Sequence, residues 1–94
     1  MEEINLLKKI ILQKLIRSNI WGGKHTPLDF VIKSVPEHYR NMHKGKKVIE
    51  KALKELSNDE WINIIAKRTG KSSDEHLSLN PRKISEIRQF MENN

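Results

Sequence analysis

The sequence predicts a mostly helical α+β domain: a core of three helices, a β-hairpin after the third, and a terminal helix. Three observations predict it. In the run from Arg40 to Leu56, RNMHKGKKVIEKALKEL, a rotation of about 100° per residue gathers Val48, Ile49, Ala52, Leu53 and Leu56 in one arc and sets Lys44, Lys47, Lys51 and Lys54 roughly opposite. The β-branched and aromatic run Trp61 to Arg68 is followed by a polar, glycine-containing stretch and a second run ending at Leu79, as in an antiparallel hairpin. Helix-start chemistry precedes the second and last apolar stripes.

The first helix is expected over Glu2 to Arg17, acidic at its positive end and basic at its negative end. Ile4, Leu7, Ile11 and Leu15 form one stripe, but Leu6, Ile10, Leu12 and Ile16 lie outside it, so the helix is apolar around more of its circumference than a one-sided surface helix needs. It is therefore either central or shared with a second subunit. In SNIWGGKH, Gly22 and Gly23 punctuate the chain, Ile20 and Trp21 offer anchors, and a very short strand fits Gly23 to His25. Thr26 as N-cap, Pro27 at the first helical position and Asp29 as capping partner then start a second helix. Its stripe is Leu28, Val31, Ile32 and Val35, and Pro36 ends it by pushing Val35 out of the α region.

Ser34 and Glu37 repeat the capping box ahead of His38 to Met42. Gly45 costs about 0.8 to 1 kcal/mol in a helix interior relative to alanine, so a bend or break is expected between His43 and Gly45. The strong helix then runs from Lys46 to Leu56, and whether the preceding turn joins it stays open. Ser57, Asn58 and Asp59 end it. In the hairpin, Ile62, Ile64 and Ala66 share one face, with Trp61, Asn63, Ile65 and Lys67 on the other. Thr69 to Glu75 is the tip, and the return strand His76 to Leu79 points Leu77 and Leu79 inward, His76 and Ser78 outward. Asn80 and Pro81 open the last helix, whose stripe is Ile84, Ile87 and Met91 with Phe90 beside it.

Ninety-four residues make one domain, spanning 1–94, too short for an elaborate catalytic cleft. The absence of cysteine excludes a disulfide framework and a thiolate metal site and suits a cytoplasmic protein. Lysines interrupt the N-terminal apolar stretch, and nowhere do about eighteen apolar residues run together, so neither a signal peptide nor a membrane partner is expected. The net charge of +6 is concentrated: residues 40–54 carry Arg40, Lys44, Lys46, Lys47, Lys51 and Lys54 against Glu50 alone. A local basic patch attracts polyanions, with DNA or RNA the commonest partners.

The order of elements, with GGKHTPLDF, KKVIEKALKEL and WINIIAKRTG through HLSLNPRKISEI, resembles the winged helix-turn-helix superfamily, in particular its small stand-alone archaeal-type members. The resemblance covers nearly the whole chain and implies a DNA-binding transcriptional regulator, with an RNA- or protein-binding module as the alternative. It implies that the third helix lies in the major groove, with Lys44, Lys46, Lys47, Lys51 and Lys54 near DNA and Arg40, Asn41 and His43 at its entry. It further implies that the hairpin is a wing whose tip touches the adjacent backbone or minor groove, with Lys67, Arg68 and Lys71 as the cations available. Pairing of subunits as a homodimer would use Ile4, Leu7 and Ile11 of the first helix and Phe90 and Met91 of the last. The reading face departs from the pattern of direct base readout, which uses bidentate Arg, Asn or Gln, because here lysine and glutamate follow His43.

Other constellations are weaker. His25, His38, His43 and His76 lack the i, i+4 spacing of a helical zinc site, so scattered histidines and no metal or cofactor are expected. Thr69 to Ser72, TGKS, lacks the glycine pattern that precedes a phosphate loop. No nucleophile–base arrangement or carboxylate pair stands out, so no catalytic residue and no enzyme are expected. Tyr39 beside Arg40 is the aromatic residue placed to stack on RNA.

Overall fold

A computed structural model describes the backbone of residues 2–69 and 72–93, and the side chains of these except 2, 67–69 and 72–74. Helix α1 covers Glu2–Arg17, as its periodicity requires. It ends on Asn19 in the left-handed region, φ 57°, where the amides of Asn19 and Ile20 return to the carbonyls of Ile16 and Leu15. Asparagine tolerates this conformation at a helix end. Gly22, φ 60°, is the second such position and turns the chain toward the sheet.

Strand β1 is Thr26–Pro27, and α2 follows immediately at Leu28–Ile32. The strand therefore falls on the residues expected to cap the helix. Thr26 does not cap: it is buried, pairs with Leu77, and the helix begins after Pro27 with no side-chain cap bond. Likewise Ser34 gives no cap to α3, Glu37–Asn41, which starts after Pro36. At both sites the extended conformation that proline and its predecessor favour starts the helix without a hydroxyl cap.

The break between α3 and the long helix α4, His43–Asn58, is a single extended residue, Met42, φ −106° and ψ 142°. The break lies before His43, and Gly45 is inside the helix. Glycine is there for space: a Cβ on Gly45 would stand 2.4 Å from both the Cα and the carbonyl oxygen of Tyr39. Close passage of α3 across the first turn of α4 thus replaces the bend that helix propensity alone predicts.

Strands β2, Ile62–Thr69, and β3, Ser72–Leu79, pair antiparallel over eight residue pairs from Ile62↔Leu79 to Thr69↔Ser72. Strand β2 keeps the expected length but starts and ends one residue later, whereas β3 begins four residues before the expected His76. Strand β3 lies between β1 and β2 in a three-stranded antiparallel sheet. Its end is also held by the loop after α1, through Gly22 N–H to Leu79 O and Leu79 N–H to Ile20 O, both 2.9 Å. A turn of 3-10 helix, Pro81–Lys83, with the Asn80 side chain accepting from the Arg82 amide at 3.1 Å, leads into α5, Ile84–Glu92.

The core lies between α1, α4, the sheet and α5. Leu7, Ile11, Leu12 and Leu15 of α1 meet Ala52 and Leu56 of α4, Ile62, Leu77 and Leu79 of the sheet, and Ile87 of α5. Two strand-face assignments change. Ile64 and Ala66 are exposed although Ile62, on the same face, is fully buried, because the sheet leaves the core as it runs toward the hairpin tip. Ser78, expected outward, is fully buried together with Leu77 and Leu79. Alternation marks an outer face only where one side of a strand is open, and at this end both sides of β3 are covered. Among the described residues no helix is long and apolar enough to cross a membrane.

Candidate nucleic-acid interface

Helix α4 sorts its side chains by rotation. Gly45, Ile49, Ala52, Leu53 and Leu56 are buried, an arc of about 100° at the helical repeat. His43, Lys44, Lys47, Lys51 and Lys54 are exposed and fall in an opposite arc of about 100°. The ion pairs among the described residues are Lys8–Glu55, Arg40–Glu37 and Lys83–Glu86. None engages the outward lysines, so their charge is turned to solvent.

Two packing contacts fix this helix in place. On one flank, α3 crosses at Gly45, and Tyr39 of α3 is tied to α1 by its hydroxyl donating to Glu3 Oε2 at 2.9 Å. The bond to Glu3 raises the Tyr39 pKa, because it requires the protonated phenol. Tyr39 also packs against His38, ring centroids 4.3 Å apart. Half-buried and hydrogen-bonded, it is not the open stacking platform that its place beside Arg40 suggests. On the other flank, Lys8 of α1 meets Glu55 at 2.5 Å. The Lys8 ammonium holds the Glu55 carboxyl below its ordinary value, with Lys51, one turn away, contributing.

The remaining predicted cations divide into groups. Arg40 is half-buried, and it and the exposed Lys46 line a groove between α2 and α4, on the flank of the lysine face. Asn41 is exposed at the end of α3. Lys71 and the side chains of Lys67 and Arg68 lie outside the described residues. In register, Lys67 stands opposite Asp74 and Arg68 opposite Ser73. The hairpin flanks the second half of α4 across a cleft lined by Glu50, Lys54, Asn58, Ile64 and Glu75. Two carboxylates in this cleft make it less attractive to phosphate than the lysine arc.

The residues expected at a subunit interface need correction. Ile4, Leu7 and Ile11 are buried in the core of the single chain, which explains the broad apolarity of α1 without a partner. Leu6, 51% exposed, is the apolar residue that α1 turns outward. Phe90 and Met91 are half-buried, and Phe90 packs edge-on against Trp61 with centroids 5.3 Å apart.

The histidines are less scattered than their spacing suggests. His25 and His76 meet Nδ1 to Nδ1 at 2.9 Å, beside the Pro27↔His76 pair of the sheet. A hydrogen bond between two imidazoles needs one donor and one acceptor, so one ring presents Nδ1–H and the other a bare Nδ1. No sequence signal links residues 51 positions apart; the β1–β3 register does. Among the described residues no group of three or more His, Cys, Asp and Glu side chains is arranged to hold a metal.

Comparisons with protein-family models, with curated proteins and with solved structures give no match to this chain.

Proposed function

We propose that the chain is a nucleic-acid-binding module of the winged helix-turn-helix kind, acting as a DNA-binding transcriptional regulator. One observation carries the reading: the outward arc of α4 presents Lys44, Lys47, Lys51 and Lys54 with His43, in none of the ion pairs among the described residues and opposite a buried apolar arc. The helix is also long enough for the task. Sixteen residues at about 1.5 Å each give roughly 24 Å, and a duplex major groove about 12 Å wide admits one α-helix. In this reading α3 and α4 are the helix-turn-helix pair and the β2–β3 hairpin is the wing.

The test is fluorescence anisotropy of a labelled duplex across a salt series. Four lysines on phosphates give a slope of log K against log salt of about −3.6, equivalent to roughly 150-fold weaker binding between 50 and 200 mM salt. Lys47→Glu with Lys51→Glu abolishes binding. Binding indifferent to salt and to these substitutions refutes the proposal. The same arc lacks arginine and glutamine, which favours backbone contact over base reading and keeps structured RNA as the second reading. A clear preference for RNA at matched salt makes RNA the partner.

A further inference from the structure

The groove between α2 and α4 has a different chemistry from the lysine face. Its floor is Leu28 and Ile32 of α2 with Ile49 and Leu53 of α4, and it is an open groove of about 370 Å³. That is within the range of about 300 to 1,000 Å³ typical of small-molecule sites. Two cations stand on it, Arg40 and Lys46, against one carboxylate, Glu50. Arg40 is the unusual member. Its side chain is only 32% exposed, and the carboxylate it pairs with, on exposed Glu37, is 3.9 Å from Nη2. Its Nε is shielded from solvent and has no hydrogen-bond acceptor among the described residues. A half-buried guanidinium whose Nε has no acceptor among the described residues is under-satisfied, and the acceptor that matches a guanidinium's planar edge is a carboxylate, held by two parallel N–H···O bonds.

We propose that this groove binds a small apolar monocarboxylate, with Arg40 clamping the carboxylate, Lys46 adding charge at the rim, and the hydrocarbon lying on Ile32, Ile49 and Leu53. Rotation of the guanidinium about its last side-chain bonds brings Nε and Nη2 to the acid. An aliphatic tail removes apolar floor from water, which a free inorganic anion would not do. Glu50 opposes a second negative charge, so a monoacid fits better than a diacid. The site does not depend on whether α4 meets nucleic acid, since none of the outward lysines of α4 lines it.

The test is a two-dimensional amide NMR titration of the whole chain with sodium hexanoate, and separately with hexan-1-ol as the neutral isostere. Hexanoate is expected to saturate at millimolar concentration, shifting the amides of Ile32, Ile49 and Leu53. The alcohol binds at least about tenfold more weakly, the value of a charge-assisted contact. Arg40→Gln lowers hexanoate affinity about tenfold, and Arg40→Lys, which keeps charge but not the planar fork, gives an intermediate loss. Glu50→Gln tightens binding, a direction that damage to the fold would not produce. Equal binding of acid and alcohol overturns the proposal. So does unchanged affinity in folded Arg40→Gln, an absence of saturation, or saturating shifts confined to another part of the chain.

Discussion

Substituting Gly45 by alanine sets two effects of opposite sign against each other. In a helix interior the change gains about 0.8 to 1 kcal/mol of propensity, so sequence reasoning alone makes Gly45→Ala stabilising. The structure reverses the sign. The new Cβ would lie 2.4 Å from the Tyr39 Cα, 2.4 Å from its carbonyl oxygen and 2.7 Å from its carbonyl carbon, where ordinary contact begins at 3.4 Å. All three are backbone atoms, so no side-chain rotation relieves them, and α3 must retreat by about 1 Å against close packing. Overpacking of this kind costs about 1 to 3 kcal/mol or more, and the upper end applies because backbone has to move. After subtraction of the propensity gain, the variant loses about 2 kcal/mol. Thermal unfolding by circular dichroism should show a fall of roughly 8 to 16 °C, at about 4 to 8 °C per kcal/mol in a domain of this size. Lys46→Ala, one residue on and exposed, is the control and should stay within about 0.5 kcal/mol of the parent. An alanine variant as stable as the parent, or more so, refutes the close crossing of α3 over α4.

Three further predictions rest on separate features. Glu60 holds φ 63° at the end of α4, where the Trp61 amide returns to the Leu56 carbonyl at 3.0 Å. Glu60→Gly relieves a left-handed side chain worth about 1 kcal/mol, and a lower urea midpoint than the parent would count against that geometry. Ser78 is fully buried, and its hydroxyl has no partner among the described residues. Ser78→Ala removes an unsatisfied group costing about 1 to 3 kcal/mol, so stability rises or holds, whereas a loss of more than 1 kcal/mol would mean that the hydroxyl is bonded. The Glu55 carboxyl, lowered by its bond to Lys8, favours the folded state above its unfolded pKa of about 4.3, a contribution lost as pH falls through the lower folded value. Lys8→Met is therefore less stable than the parent at neutral pH, and the gap closes in acid; a gap unchanged between about pH 7 and pH 3 rules out the coupling.

What the sequence displays well is amphipathic periodicity. The limits of α1 follow from its apolar residues and end charges, and the buried arc of α4 from Ile49, Ala52, Leu53 and Leu56, because each pattern repeats over several turns. Asn80 caps as expected, since an N-cap bond is local. Thr26 and Ser34 mislead because the same residues that cap helices also serve beside a strand or in a turn, and tertiary pairing of Thr26 with Leu77 decides between them. Gly45 misleads for a related reason: propensity describes the helix alone, and the partner that demands a glycine is six residues away in another helix. The exposed lysine arc of the candidate site was legible in full. The groove beneath Arg40 was not, since it needs α2, α3 and α4 to be placed together.

That placement sharpens the proposed function. Arginine, the residue best suited to reading guanine, is turned into a groove against α2 in the form of Arg40, while the outward arc of α4 carries lysine. Lysine is a compact charge that meets phosphate from many directions. If the proposed function holds, a helix so equipped gains most of its affinity for a duplex from counterion release and little discrimination between base pairs. Any sequence preference then falls to Asn41 and His43, the exposed polar side chains at the entry to α4, or to the deformability of the duplex. Asn41→Ala with His43→Ala should therefore flatten the preference in a selection from random duplexes while leaving the salt slope near −3.6. A slope that falls with the preference would place those two residues on the phosphates as well.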